Sequence, residues 1–172
     1  AIGGSACPKF MIETFLEKYE VQVLHAWGMT ETSPLGTVNK PLTKHLGMPK
    51  NELIQLATKQ GRPMYGVDIK ITNDKGKELQ RDGSSFGNLW IKGPWICSGY
   101  LNITKSDTHL DDGWFLTGDV ATIDSDGYMQ ITDRVKDVIK SGGEWISTIE
   151  IENIAVAHPK ILEAAVVGVL HH

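Results

Sequence analysis

The sequence predicts an α/β fold that turns β-rich through its middle and closes on the first helix and strand of a second, small α+β unit. Three observations predict it. An amphipathic helix pattern from Lys9 to Glu20 runs into a short apolar stretch, Val21 to Ala26, and then into a polar loop containing Gly28. From about residue 61 onward, short runs of alternating apolar and polar residues are cut by closely spaced glycines. The stretch from Asp133 to Glu152 then threads Val135, Val138, Ile139, Ile146, Ile149 and Ile151 between an arginine, two lysines, Gly142-Gly143 and a Glu-x-Glu. Such a segment is partly packed, partly exposed to something anionic, and bent at its glycines.

The elements follow in order. Gly3-Gly4-Ser5-Ala6-Cys7-Pro8 is a small-residue turn, and Pro8 suits the first turn of the helix that follows. Met11, Ile12, Phe15, Leu16 and Tyr19 recur at helical spacing opposite Glu13, Glu17, Lys18 and Glu20, which defines one apolar face. Val21 to Ala26 reads as a strand whose carboxyl end opens into Trp27-Gly28-Met29-Thr30-Glu31, the position where open α/β sheets bind ligands. Asn51 to Lys59 is a second helix between loops. Val67 to Ile71 alternates in polarity, and Asn73-Asp74-Lys75-Gly76 is a hairpin signal. Asn88 to Lys92, Trp114 to Thr117, Val120 to Ile123 and Tyr128 to Thr132 are further strands, and turns at this density favour a small twisted sheet or a barrel-like subdomain. Asp124-Ser125-Asp126-Gly127 is a hairpin turn, because it lacks the later ligands of a calcium loop. Ile149 to His158 is a helix stopped by Pro159, and Ile161 to Leu170 is an apolar strand.

Composition narrows the function classes. With 172 residues, 41% apolar and 22% charged, the chain is globular and long enough for one sizeable domain, or one domain and part of another. A net charge of -4 gives no general electrostatic reason to bind nucleic acid or an anionic membrane, so any phosphate site must be local. Cys7 and Cys97 are too few for a disulfide framework, which points to a reducing, cytoplasmic setting. No apolar run reaches the ~20 residues of a membrane span. Both ends read as cuts through a longer protein, and the paired His171 and His172 as native loop.

Two clusters carry candidate chemistry. Asp119, in Thr117-Gly118-Asp119, stands between two strands, where a carboxylate can accept hydrogen bonds from both hydroxyls of a ribose; a tight-turn aspartate is the structural alternative. Thr30 and Glu31 supply a hydroxyl for a phosphate oxygen and a hard ligand for Mg2+ beside Gly28, where backbone can approach closely; a helix cap is the alternative. Trp27 either packs on a nucleobase or fills core. No Ser/His/Asp or Cys/His set is visible, and no histidine has a convincing metal partner.

Trp27-Gly28-Met29-Thr30-Glu31, Thr117-Gly118-Asp119 and Ile139-Lys140-Ser141-Gly142-Gly143-Glu144-Trp145-Ile146-Ser147 together resemble, in order and spacing, motifs of the adenylate-forming (AMP-binding) superfamily. The wording of the third is most similar to medium- and long-chain fatty acyl-CoA ligases. The resemblance covers Gly3 to Leu170. It implies that residues 1–135 are the carboxyl-side part of a large AMP-binding domain, with the β-rich subdomain over about 61–135, and that 136–172 hold the hinge and the start of a small carboxyl-terminal domain.

The resemblance also implies roles. Thr30 contacts the α-phosphate and Glu31 helps hold Mg2+; Asp119 and Arg134 serve the adenosine ribose; Gly3, Gly4, Trp27 and Gly28 border the nucleotide. Lys136 is the hinge. Lys140 reaches the active site in the thioester-forming arrangement, where Gly142, Gly143 and Trp145 border the CoA arm. Trp27 stands where the family often has tyrosine, and Thr148 where it often has proline or serine. The implied substrates and cofactors are ATP, Mg2+, CoA and a fatty acid. The implied reaction forms acyl-AMP and then acyl-CoA, and a piece without the family's upstream phosphate loop and downstream adenylation lysine is expected to be inactive alone. The sequence is compatible with peripheral membrane contact and with a homo-oligomer. A non-catalytic nucleotide-binding module, or an adenylating enzyme with another acceptor (an aryl-CoA ligase, a carrier-protein adenylation domain or a luciferase-like oxidase), is the alternative.

Overall fold

The computed structural model describes residues 1–103, 108–109, 112–141 and 144–169, with Lys140, Ser141, Glu144 and Trp145 described by their backbone alone. Helix α1 spans Lys9–Tyr19 and stops at Glu20, which turns left-handed at φ 54°. Its buried Ile12 packs with Cys7, Val23 and, from helix α2 (Lys50–Ala57), Ile54. Both helices match their predicted spans to within two residues.

The strand predicted for Val21 to Ala26 is shorter and shifted. Only β1, Ala26–Trp27, pairs in a sheet, antiparallel to β2 (Thr37–Val38), which in turn pairs with β3 (Arg62–Pro63). Upstream of β1 the backbone forms an isolated bridge from His25 to Ile2, with bonds from Ile2 N to Leu24 O and from Ala26 N to Ile2 O, and His25 O accepts from Asn39 N. Apolar residues favour a strand, but a strand exists only where a second backbone takes its hydrogen bonds. Just before β1, His25 is 1% exposed, with Nδ1 2.9 Å from Thr58 O.

Burial lowers the pKa of His25 from its ordinary 6.5, partly opposed by backbone acceptors. The unfolded chain therefore binds this proton more readily than the folded one, and stability is lost as pH falls below about 6.5. Chemical denaturation between pH 7.5 and 5.5 is expected to show that decline, and His25→Gln to show a shallower one.

The β-rich part is an antiparallel meander of β4 (Asp68–Thr72), β5 (Gly87–Lys92), β6 (Phe115–Ile123) and β7 (Met129–Arg134), in that spatial order. A bridge between Gly61 and Met129 ties its β7 edge to the end of β3's approach. One face carries the main core, with Ile69, Ile71, Leu89, Ile91, Phe115, Ala121, Ile123 and Met129 buried. Trp27 and Met29 pack against this core, which is how the loop after β1 is brought to the sheet. The Asp124 to Gly127 segment is the predicted turn, with Asp124 Oδ1 accepting from the backbone of Asp126 and Tyr128 at 2.9 Å each.

The two strands predicted at Trp114 to Thr117 and Val120 to Ile123 are one continuous strand. Gly118 sits inside it at φ 79°, a conformation glycine adopts without steric cost, and its carbonyl still accepts from Val135 N at 3.0 Å. A register shift follows between Val120 and Ala121, so burial alternates up to Asp119 and is then continuous. This is the re-aiming that a β-bulge produces.

Beyond β7, β8 (Ile139–Ser141) and β9 (Glu144–Ile146) pair antiparallel, and α3 spans Thr148–Val156. Ser147 caps α3, its Oγ accepting from Glu150 N at 3.1 Å. The strand predicted for Ile161 to Leu170 is absent from the described residues, 161–169. Leu162 is 99% exposed and Val169 84%, and the backbone there meets a side chain instead of a strand: Val166 N donates to Glu152 Oε1 at 2.9 Å. Among the described residues this apolar run pairs with no strand.

Candidate functional site

The continuous strand β6 and its neighbour β7 place Asp119 directly opposite Arg134. Asp119 Oδ1 accepts from Arg134 Nε at 2.8 Å, and Oδ2 accepts from Trp27 Nε1 at 2.9 Å. The carboxylate is almost fully buried, whereas the arginine side chain is 57% exposed. Burial raises the Asp119 pKa above its ordinary value, opposed by the Arg134 charge and the Trp27 hydrogen bond. Asp119 N is held in turn by Thr117 Oγ1 at 3.1 Å, and that hydroxyl is fixed on Leu89 O at 3.0 Å.

Asp119, Arg134 and Trp27 line a cavity of about 620 Å³, bordered also by Gly4, Gly28 and Gln60 and, from α3, by Ile149 and Glu152. Trp27 both fills core and borders this cavity. Its ring packs so closely on Gly36 that a Cβ there would lie 2.5 Å away, and the same indole lines the cavity and holds Asp119. At Gly28 the missing side chain serves the chain itself, since a Cβ would fall 1.8 Å from Pro34 O. Gly4 lies at φ 87°, while at Gly3 an added Cβ would come within 3.1 Å of Ala26 O.

Thr30 and Glu31 lie in a single 3-10 turn, Thr30–Thr32, that continues from β1. Thr32 is fully buried and pins the turn, its hydroxyl bonding Met29 and Pro34. Thr30 is exposed, and Glu31 Oε1 accepts from the Tyr100 hydroxyl at 2.9 Å. Burial and the adjacent Glu31 push the Tyr100 pKa up to about 12. Among the described residues no group of three or more His, Cys, Asp or Glu is arranged to hold a metal. A lone carboxylate suits only a cation that brings its other ligands along, as Mg2+ does with phosphates and water.

The structure thus joins Gly4, Trp27, Gly28, Asp119 and Arg134 around one cavity, and Gly3, Thr30, Glu31 and Lys136 are not among its lining residues. Lys136 is exposed in the turn after β7 and borders a second cavity of about 600 Å³ with Thr148, Glu152 and Val166. Lys140 and Trp145 face each other as a backbone pair of β8 and β9. Gly142 and Gly143 lie outside the described residues.

Sequence reasoning missed Gln60, whose Oε1 accepts from Ile131 N at 2.7 Å on the cavity wall, and Tyr100. It also missed the anchoring role of Asp133, which is 1% exposed and accepts from Thr148 N at 2.8 Å and Thr148 Oγ1 at 2.9 Å. No local signal marked Asp133, because the strand pattern read from the sequence stops at Thr132 and its partner Thr148 lies 15 residues further on.

A family model for AMP-binding enzymes matches residues 1–101. The chain belongs to the AMP-binding enzyme family. Over 170 residues, 99% of this chain, it is 58% identical to a 3-methylmercaptopropionyl-CoA ligase of Ruegeria lacuscaerulensis and 56% identical to a medium-chain fatty acid–CoA ligase of Ectopseudomonas oleovorans. A long-chain fatty acid–CoA ligase of Thermus thermophilus is 41% identical over 99% of the chain. The fold of the family is likewise matched by the Bacillus subtilis o-succinylbenzoate CoA synthetase in complex with its acyl-adenylate intermediate, at TM-score 0.81, 30% identity and 99% coverage of this chain. The same enzyme has been solved with ATP and a magnesium ion, at TM-score 0.79, 31% identity and 97% coverage. The chain spans about a third of the length of these proteins: 31% of the first two ligases, 32% of the third and 33% of the synthetase in both structures. No helix among the described residues is long and apolar enough to cross a membrane.

Proposed function

We propose that this chain is the carboxyl-side part of an ATP-dependent fatty acid–CoA ligase, with residues 1–135 ending its large AMP-binding domain and 136–172 forming the hinge and the start of its small domain. The observation that carries it is the Asp119 carboxylate, buried on a cavity wall between Arg134 and Trp27. An ionised carboxylate offers about four lone-pair sites. Two are occupied, and the remaining pair suits the vicinal hydroxyls of a ribose. The identity to CoA ligases supplies the chemistry that such a nucleotide would serve.

In this proposal a carboxylate oxygen of the fatty acid attacks the α-phosphorus of ATP, the bond to the pyrophosphate oxygen breaks, and acyl-AMP forms. The thiolate of CoA then attacks the acyl carbonyl and AMP leaves. Asp119 and Arg134 fix the ribose, Thr30 donates to the α-phosphate, and Gly4, Trp27 and Gly28 shape the nucleotide wall. Glu31 would hold Mg2+, which when bound neutralises phosphate charge. Lys136 is the pivot, Lys140 serves the second step, and Gly142, Gly143 and Trp145 border the CoA arm. The chain itself covalently attacks nothing; positioning and charge stabilisation carry the reaction. A cytoplasmic setting belongs to the same proposal.

The test is AMP release by the full-length protein from ATP and Mg2+ across fatty and aromatic carboxylates, with and without CoA. Multiple turnovers are expected with fatty acids only when CoA is present. Lys140→Ala is expected to slow thioester formation while single-turnover acyl-AMP formation persists. Preference for aromatic acids would move the assignment to an aryl-CoA ligase, and ATP binding without AMP release from any carboxylate would leave a non-catalytic nucleotide module.

A further inference from the structure

Glu31 is gripped at two points by one short segment. Cys97 N donates to the Glu31 carbonyl at 2.8 Å, and three residues on, the Tyr100 hydroxyl donates to Glu31 Oε1 at 2.9 Å. The first bond places the peptide; the second selects the side chain's rotamer. Tyr100 is itself supported. The His109 ring meets it edge-on, with centroids 5.7 Å apart and planes at 85°, and His109 Nε2 lies 3.1 Å from Cys97 O. His109 also packs on Phe115, the first residue of β6, with ring centroids 4.8 Å apart. A chain of contacts therefore runs from the strand that carries Asp119, through His109 and Tyr100, to the Glu31 carboxylate.

We infer that Tyr100 is a positioning residue for the divalent cation: by holding Glu31 Oε1 it presents the rest of that carboxylate to Mg2+ at the triphosphate. This rests on the proposed metal role of Glu31. A glutamate has three rotatable side-chain bonds, and fixing them in advance removes an ordering cost that cation binding would otherwise carry. Hydrogen bonds to an ionised oxygen are stronger than neutral ones, and partners that orient a metal ligand typically contribute 10–100-fold to metal affinity. Tyr100 is 38% exposed, so water can replace part of its bond, and the effect belongs near the lower end, about tenfold. Ring packing on His109 does not need the hydroxyl, so Tyr100→Phe separates orientation from packing.

The experiment uses the full-length protein, titrated with Mn2+ by electron paramagnetic resonance at a saturating non-hydrolysable ATP analogue, together with analogue binding in EDTA. Tyr100→Phe is expected to weaken Mn2+ about tenfold, to leave analogue binding in EDTA unchanged, and to add nothing further in a Glu31→Gln background. If Glu31→Gln weakens Mn2+ and Tyr100→Phe does not, the positioning role is overturned and the metal assignment stands. If Tyr100→Phe weakens the analogue in EDTA as much as it weakens Mn2+, its role is structural and the inference is again overturned. If Glu31→Gln leaves Mn2+ unchanged, the metal assignment falls and takes the positioning role with it.

Discussion

Replacing Asp119 with asparagine or alanine is expected to weaken ATP binding to the full-length protein by at least about 100-fold, read by calorimetry. A hydrogen bond to a charged acceptor contributes roughly 1.5–3 kcal/mol. Two ribose hydroxyls on one carboxylate therefore account for about 3 kcal/mol at the low end, and every 1.4 kcal/mol is tenfold. The fold is expected to respond differently. Burial raises the folded pKa of Asp119 above its unfolded value of 3.8, so its ionised form is disfavoured by folding. A raised carboxylate pKa contributes stability below the unfolded value and loses it as pH climbs through the folded one. Once pH passes the folded value that contribution is gone, and there Asp119→Asn, which keeps an acceptor for Trp27 Nε1, is expected to melt at or above the temperature of the native chain. A variant that binds no ATP and remains folded would identify a residue kept for its ligand. A variant that unfolds at neutral pH would make the Arg134–Asp119–Trp27 contact a structural keystone, and the ribose assignment would lose its support.

How much of this was legible beforehand depends on where the determining partner lies. The two early helices were readable to within two residues because an apolar stripe, with Pro8 ahead of the first, is a local fact. Three of the four meander strands were readable because alternation survives wherever one face is buried. The split of β6 into two strands failed at Gly118: glycine signals a turn in most sequences, and whether a positive φ ends a strand or bends it depends on what pairs with the next carbonyl, here Val135 N. Strands at Val21 to Ala26 and Ile161 to Leu170 were overdrawn for the converse reason, since propensity is local and pairing is not. At the site, Asp119, Arg134 and Trp27 were found through motif wording, yet Trp27 reaches the Asp119 carboxylate across 92 residues of sequence. Tyr100 reaches Glu31 across 69 residues, and no spacing rule connects them.

Asp133→Ala is expected to cost the full-length protein about 3 kcal/mol of unfolding free energy, the sum of a charged hydrogen bond lost and a buried donor left unpaired. Its carboxylate is 1% exposed and holds the amino-terminal end of α3 twice, through the amide and the hydroxyl of Thr148, while also accepting from Arg134 N at 2.8 Å. Beside it Ser147 Oγ donates to Thr132 O, so two consecutive residues of β7 are tied to two consecutive residues at the helix start. Lys136 lies between those ties. The turn and the β8–β9 hairpin are thus a loop closed at its base, and the base is what sets the direction in which α3 leaves the sheet toward the cavity. Thr148→Val removes the hydroxyl bond alone and is expected to cost about 1.5 kcal/mol. Chemical denaturation measures both losses, and hydrogen exchange localises them: the Thr148 and α3 amides should exchange faster in Asp133→Ala while those of β4 and β5 remain protected. Unchanged protection in α3 would mean that its packing on β7, and not the carboxylate, holds the helix in place.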